Sequence, residues 1–593
     1  MQSEEALSRI EVLNTGDIPL IYAQLKELGI QQILDSVIKV HGNWLGSSVG
    51  QVYTIWSCYL LSEADHRLSS VESWVEVQYS LLVAISGQKD LRVKDFTDDN
   101  LARILDYISD EENWRKINEL LGQSSLEIYE VGKLPTIRLD AAPQQGHHQV
   151  TSTSLFQYGY SKHHNPNLGM IKVMLATMDN EINGYGYPLA HLTVSGEQAD
   201  DGLYIPIIKE CEGVWKFCKG KTRKLYVGDS KMGSKENRHY IWKSKNDYLM
   251  PLSKKQLSDK ERITEVNEQS DFKKVYRKDK SNKRQLVAKG FECKATISYE
   301  EEDGEVVKWQ ERRVYVQSSS YAKSEQKALD RKLETTTTNL NYLLVRKQGK
   351  QTPKTKKSLQ VAVDEIVANS GLIGLLEVRI EEKRHQKKVN AYGGKPASVK
   401  KWSTFQLHII PNAEAIDAKK KLAGWQVYAT TISERKLSFE KIVWKYRQQN
   451  RIESRFNDLR NKVVPLLPIF LKKDNRIEAL VNVLMICLKV CSVIEFKIAK
   501  RLKEEQKELD NIYAGNPKQS TARPTAKKIL EQFKRISIAL IYEPNLQAPK
   551  VMMTDLNQSI LNIIRLIGFK SDIYTTLAKQ IEFLFSSKNF SEN

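Results

Sequence analysis

Apolar residues recur at helical spacing from the start of the chain. Ile21, Leu25 and Leu28 precede Gly29, and Val52, Ile55, Trp56, Tyr59 and Leu60 form a second stripe. Asp98 is placed to cap a further helix through Leu101, Ile104, Leu105 and Ile108. Residues 18–108 therefore read as helical, and residues 1–130 as an all-α N-terminal domain. From Leu134 the period changes to that of strands. Runs at 134–139, 170–177, 187–194 and 225–228 are strand-like, with Asn183-Gly184 as a hairpin turn between the second and third. Ser234 opens a helix to about residue 244, and 248–252 is a short strand. This α/β signature covers residues 131–252.

Residues 253–284 are polar and lysine-rich and read as a linker or exposed loop. Strands at 293–299 and 306–309 flank the turn Asp303-Gly304, and 313–316 adds another. A helix at 321–344, a basic loop at 349–357 and strands at 404–410 and 425–430 follow. Residues 253–423 thus read as a β-rich insertion, with strand 425–430 opening the segment 424–507. Ser438 is placed to cap a long helix carrying Tyr446, Glu453 and Arg460, which Pro465 ends. A second long helix covers 476–507, and 511–526 reads as a linker. The 508–593 region is helical again through Leu561, Ile564, Leu566 and Ile567. No internal repeat is visible.

Composition narrows the class. The 593 residues exceed one ordinary core, so several domains are expected, and a hydrophobic content of 41% suffices to bury them. A net charge of +19 favours a polyanionic partner, with nucleic acid first; a basic, solvated enzyme surface has the same balance. The six cysteines form no Cys-x-x-Cys pair and no zinc array, so they read as free thiols in a reducing compartment. The polar, acidic N-terminus is unlike a signal peptide, and the apolar run at 480–488 stops at Lys489, too short to span a bilayer. A soluble, cytoplasmic protein is expected.

Three acids stand in chemically suggestive places. Asp140 follows the run 134–139, Asp229 follows 224–228, and Glu453 lies within the long helix. Carboxylates just after strands sit where α/β sheets open their ligand crevice. Two of them plus a third on a later helix can converge on a pair of hard divalent cations, which stabilise both oxygens of an in-line phosphoryl displacement. Tyr446, Gln449, Glu453 and Arg460 fall at i, i+3, i+7 and i+14, near one face of a helix. A solvated polar stripe has the same spacing, and either aspartate alone serves equally as a turn residue. Two other patterns fail on chemistry. The stretch 228–235 has Gly-Ser-Lys where a phosphate-binding loop needs Gly-Lys-Ser/Thr. Asp179-x-Glu181-x-Asn183-Gly184 starts like a calcium loop, but Ala190 occupies the twelfth position. His147-His148 and His163-His164 lack the context of a zinc site.

The long helix resembles the Tyr-(2)-Arg-(3)-Glu-(6)-Lys signature of DDE-type insertion-sequence transposases, here written Tyr446-(2)-Gln449-(3)-Glu453-(6)-Arg460. Gln449 departs from Arg, and Arg460 keeps the charge of Lys. Residues 158–166, Tyr-Gly-Tyr-Ser-Lys-His-His-Asn-Pro, resemble the stretch after that family's first Asp. Residues 227–234 look like its second Asp segment, and 424–428 like the strand before its catalytic helix. The resemblance spans about residues 15–490. It implies an RNase H-like catalytic core interrupted by a β-rich insertion, preceded by an all-α domain and followed by a helical C-terminal region. It implies cut-and-paste DNA transposition with Asp140, Asp229 and Glu453 holding two Mg²⁺ ions, for which Mn²⁺ can substitute. Tyr446, Gln449 and Arg460 would contact DNA near the cut. The N-terminal helices and basic loops would bind terminal inverted repeats of double-stranded DNA, and two protomers would pair in a synaptic complex. The rival readings are a decayed or domesticated DNA-binding relative, for which Gln449 speaks, and a metal-dependent nuclease that cuts without joining.

Overall fold

The computed structural model describes residues 9–586 apart from 43, 133, 160–164, 217–221, 279–281, 346, 349–351, 392, 394–395, 462, 517 and 544–547. The chain opens with strand β1 (Arg9–Leu13), a correction to the all-α expectation. Helices α1 (Ile18–Glu27), α2 (Ile30–Val37), α3 (Val49–Glu63), α4 (Val71–Val77), α5 (Tyr79–Ser86), α6 (Asp98–Ser109) and α7 (Glu111–Ile128) follow. Ser48 caps α3 with a reciprocal capping box to Gln51, and Asp110 caps α7 through the Asn113 amide at 2.9 Å. Thr97 rather than Asp98 holds the cap position of α6.

The next elements are β2 (Thr136–Gly146), β3 (Gly169–Met178), β4 (Tyr187–Ser195), α8 (Tyr204–Trp215), β5 (Leu225–Val227) and α9 (Lys235–Lys243). The strands order β4-β3-β2-β5, antiparallel except for the parallel pair β2–β5. Strand β2 does not stop at Leu139. Pairing with β3 carries it on to Gly146 through Pro143, so Asp140 lies inside the strand. The Asn183-Gly184 turn forms as expected, with Gly184 at φ 76°.

The chain continues through β6 (Asp247–Pro251), α10 (Asp259–Glu268), β7 (Lys273–Lys278), β8 (Arg284–Glu300), β9 (Val306–Ser318), α11 (Ser319–Leu343), α12 (Lys356–Ser370), β10 (Leu376–Val389), β11 (Ser398–Pro411), α13 (Ala413–Leu422), β12 (Trp425–Thr430) and α14 (Phe439–Arg447). The expected linker at 253–284 is therefore largely ordered. A Ser258–Glu261 capping box starts α10, and β7 is held by backbone pairing to β8, which needs no apolar period. Strands β7, β8, β9 and β12 pair antiparallel in that order, turning at Gly304. A separate core joins α11, α12, α13 and the roots of β10 and β11 through Leu329, Leu340, Leu359, Val363, Leu376 and Ile416.

The last part holds α15 (Asn450–Asn461), α16 (Asp474–Glu504), α17 (Ala526–Glu531), β13 (Ile538–Tyr542), β14 (Lys550–Met553), α18 (Gln558–Ile567) and α19 (Ile573–Ser586). The C-terminal region is thus not purely helical: β1, β13 and β14 form a small antiparallel sheet. Contacts divide the molecule into two units, Met1–Tyr248 with Tyr446–Asn593, and Leu249–Lys445. In the first unit α16 packs on α6, β4 and α18. Alone among the described residues it is long and apolar enough to cross a membrane, and 94% of its apolar window is covered by protein. Its bounds match the long helix expected over 476–507, but its apolar stretch is longer than the 480–488 run, because Ile494, Ile498 and Leu502 extend the buried stripe beyond Lys489.

Candidate functional site

The three acids all lie in the first unit. The β2–β5 register pairs Thr136 with Leu225 and Arg138 with Val227, an offset of 89 positions, and Asp140 and Asp229 are separated by the same 89. The pairing ends at Arg138 and Val227, so Asp140 lies two residues on within β2 and Asp229 two residues beyond the end of β5. Both are half-buried. Asp229 opens the short turn Ser230–Gly233, its Oδ1 accepting from the Lys231 amide at 2.9 Å. Ser234 then caps α9 through the Asn237 amide at 3.2 Å, as the sequence predicts.

Sequence reasoning missed Tyr204, because the helix that carries it, α8, was not read. Its hydroxyl donates to Asp229 Oδ1 at 2.6 Å. Burial pushes the phenol well above its ordinary pKa, and the charges of Asp229 and then Asp140 push it further. Tyr204 therefore stays protonated and senses both aspartates. Nearby, burial raises the Asp200 carboxyl, but hydrogen bonds from Lys231 and Lys172 carry it below its ordinary value.

Glu453 lies on α15, which packs on β2, β3 and α16. The predicted single helix is in fact two, broken at Gln448-Gln449, so Tyr446 lies in the last turn of α14 while Glu453 and Arg460 share α15. The stretch Arg447-Gln448-Gln449-Asn450 has no apolar side chain to fasten a continuous helix. The chain beyond it is tied down separately. Arg451 donates to the Asn180 carbonyl at 3.2 Å and pairs with Asp179 at 3.4 Å. Arg455, 1% exposed, donates to the Gly186 carbonyl at 2.6 Å and pairs with Glu495 at 2.6 Å and Asp458 at 3.0 Å. These arginines lie two residues either side of Glu453 and point inward, so Glu453 points out. It is exposed and makes no side-chain hydrogen bond or ion pair among the described residues. Asn457 and Arg460 lie on its face, at i+4 and i+7.

Two contacts set α15 along β2. At its start, Arg138 Nη1 donates to Gln449 Oε1 at 3.4 Å. At its end, Arg460 lines a cleft of about 1270 Å³ with residues 143–146 of β2, His148, Phe156 and Lys472. Glu453 lies between those two ends of α15. Arg138, 0% exposed in the Asp179 pair at 2.8 Å, is the second residue that sequence reasoning passed over. A lone arginine inside the run 134–139 was its signal. The Gln449 carbonyl oxygen accepts from Arg138, which fixes one end of its amide. Asp179 of the calcium-like pattern is committed to Arg138 and Arg451. His148 stacks on Phe156 at 3.9 Å and donates to the Leu471 carbonyl at 2.9 Å, a packing role. His163-His164 and residues 160–162 of the family-like stretch lie outside the described residues.

Among the described residues no three His, Cys, Asp or Glu side chains converge tightly enough to hold an ion by themselves. Asp140, Asp229 and Glu453 are the carboxylates that would hold Mg²⁺. That ion keeps several waters and is bound through one or two carboxylates completed by substrate phosphates, rather than by a full protein cage. A half-site of that kind would take two half-buried aspartates, an exposed glutamate and the cleft-lining Arg460. No known protein family and no curated protein matches this chain.

Proposed function

We propose that this protein is a metal-dependent DNA phosphoryl transferase that acts as a DDE transposase, cutting and joining DNA at the ends of an insertion sequence. The observation that supports the reading is that Asp140 and Asp229 each follow the paired stretch of β2 and β5 by two residues, with the same offset of 89 positions, and that the Glu453 helix packs on β2. On this reading the chain has an RNase H-like core, and Asp140, Asp229 and Glu453 hold Mg²⁺, with Mn²⁺ able to replace it. When bound, a pair of such ions lowers the charge cost at the attacking and leaving oxygens. Tyr204 fixes the Asp229 carboxylate. Arg460 meets a backbone phosphate in the cleft through a charge-assisted fork. Tyr446 lies close enough in sequence to border the same strand. Duplex DNA is the partner, two protomers act together on two ends, and the cytoplasm is the setting.

The test is cleavage and joining of a supercoiled plasmid carrying the DNA that flanks the gene, in Mg²⁺. The parent should nick and transfer strands, while Asp140→Asn, Asp229→Asn and Glu453→Gln should do neither yet still bind DNA. Full cleavage by any one variant removes that residue from the site. Cutting without joining by the parent favours the nuclease, and neither activity favours the non-catalytic relative.

A further inference from the structure

The second unit contains an arm whose distal charge has no partner within that unit among the described residues. Strands β10 and β11 pair only with each other, over fourteen residue pairs from Leu376↔Pro411 to Val389↔Ser398. The root of this ribbon is ordinary. Val378, Ile380, Leu407 and Ile409 pack on the core of α11 and α12. Glu377, Glu381 and Glu382 there pair with Arg379, Lys383, Arg384 and His408.

Beyond Lys383 the character changes. Residues 383–389 and 398–402 are exposed in succession, so neither face of the ribbon is covered. Residues 383–404 contain seven lysines and arginines and no acid. Lys387 stands directly opposite Lys400, although like charges facing across a ladder repel. Lys387, Lys388, Lys400 and Lys401 make no ion pair among the described residues. On the face with the Lys387–Lys400 pair, the His385 and Trp402 rings stack at 5.5 Å and 17°, with Trp402 still 41% exposed. Arg384, Lys388 and Lys401 occupy the other face, so neither face is apolar as a membrane-lying surface requires.

A two-stranded ribbon alone in water is marginal, and unpaired lysines on it add repulsion. Such an arm is stabilised by a polyanion that lies along it and contacts both faces. Duplex DNA does this: its major groove admits a two-stranded ribbon, with phosphates flanking both sides. The free part of the arm, seven residues at about 3.3 Å each, is on the order of 20 Å long, enough to follow the groove for several base pairs. We propose that the distal β10–β11 ribbon is a DNA-binding arm that enters the major groove of duplex DNA, with Lys387, Lys388, Lys400 and Lys401 on the flanking phosphates and Trp402 against the groove floor. This does not depend on the cleavage reading, because the arm binds DNA whether or not Asp140 and Asp229 cut it.

The experiment measures binding of the full chain to a labelled mixed-sequence duplex by fluorescence anisotropy over a salt series. A single strand of equal length and anionic phospholipid vesicles are the comparison probes. Lys387→Gln with Lys400→Gln should weaken duplex binding severalfold and lower the log–log salt slope by about 2, since each phosphate contact contributes roughly 0.9. Lys387→Arg with Lys400→Arg should keep both affinity and slope. If the first pair fails to melt like the parent, Lys388→Gln with Lys401→Gln on the other face should give the same loss. Parent-like affinity and slope in the neutralised variants overturns the proposal. So does a loss seen only with vesicles or only with the single strand. Cleavage by the parent tests the catalytic reading by itself: no cleavage with the lysine-dependent salt slope intact is failure of that reading alone, and cleavage with no lysine-dependent slope is failure of the arm alone.

Discussion

Helix α15 and the β10–β11 ribbon are both rich in cations, and they use them in opposite ways. On α15 the inward arginines are closed in. Arg451 and Arg455 each meet a carboxylate and a backbone carbonyl, because a buried guanidinium left unpaired is very costly. On the distal ribbon the lysines stand in water, where an unpaired ammonium costs almost nothing. Charge in the first region therefore serves to fix geometry, and it holds Glu453 outward. Charge in the second has no geometric task within its own unit, and the proposed polyanion would supply its partner. Net charge alone does not distinguish the two.

The contrast is broken most severely at the site itself. Asp229→Asn is expected to abolish single-turnover cleavage in Mg²⁺ while leaving the thermal midpoint near that of the parent; residual turnover close to the parent's would sink its metal role. Next in size, Arg455→Ala should destabilise the first unit by about 3–5 kcal/mol, because Glu495 and Asp458 lose their buried partner. Urea denaturation reads this, and a change below about 1 kcal/mol would mean that water reaches the pair.

Lys489 sharpens the comparison as a buried cation without a carboxylate. Its amine donates to Asn118 Oδ1 and the Leu189 carbonyl, with Cys211 and His191 as titratable neighbours. Burial holds it down at about 7, against 10.5 for a free lysine. Between those values the unfolded chain binds the proton and the folded chain does not, so this group makes stability rise with pH from about 7 towards 10. Lys489→Met should lose that slope when midpoints are compared at pH 7 and pH 9, and parallel curves would show that the amine is not what titrates.

Tyr204→Phe removes one hydrogen bond to the Asp229 carboxylate and no packing. Partners behind a metal ligand are typically worth roughly 10–100-fold in affinity or activity, so Mn²⁺ titration followed by electron paramagnetic resonance should show binding weakened on that scale. Equal affinity would make Tyr204 a packing residue only. The smallest effect belongs to the ribbon. Lys387→Gln with Lys400→Gln should move stability by no more than about 0.5 kcal/mol, as exposed substitutions usually do. A larger loss would mean that the arm is part of the folded core.

The sequence by itself determined whatever depends on near neighbours. Asn183-Gly184 and Asp303-Gly304 form turns because glycine accepts their backbone, and strand 425–430 appears with its predicted bounds. The 89-position spacing of the two aspartates was also legible, though not its meaning. Tertiary structure decided what depends on distant chain. Strand β2 runs past Asp140 because β3 supplies backbone partners as far as Gly146. The helix expected from Tyr446 to Arg460 breaks at Gln448-Gln449, and the part beyond the break is anchored through Arg451 and Arg455 at residues 179–186 and on α16. Tyr204 reaches Asp229, and Arg138 reaches Gln449, only because helix and strand meet in space. Periodicity records which side of an element is buried. It does not record what lies on that side, and the partners of a buried charge or a hydroxyl are chosen there.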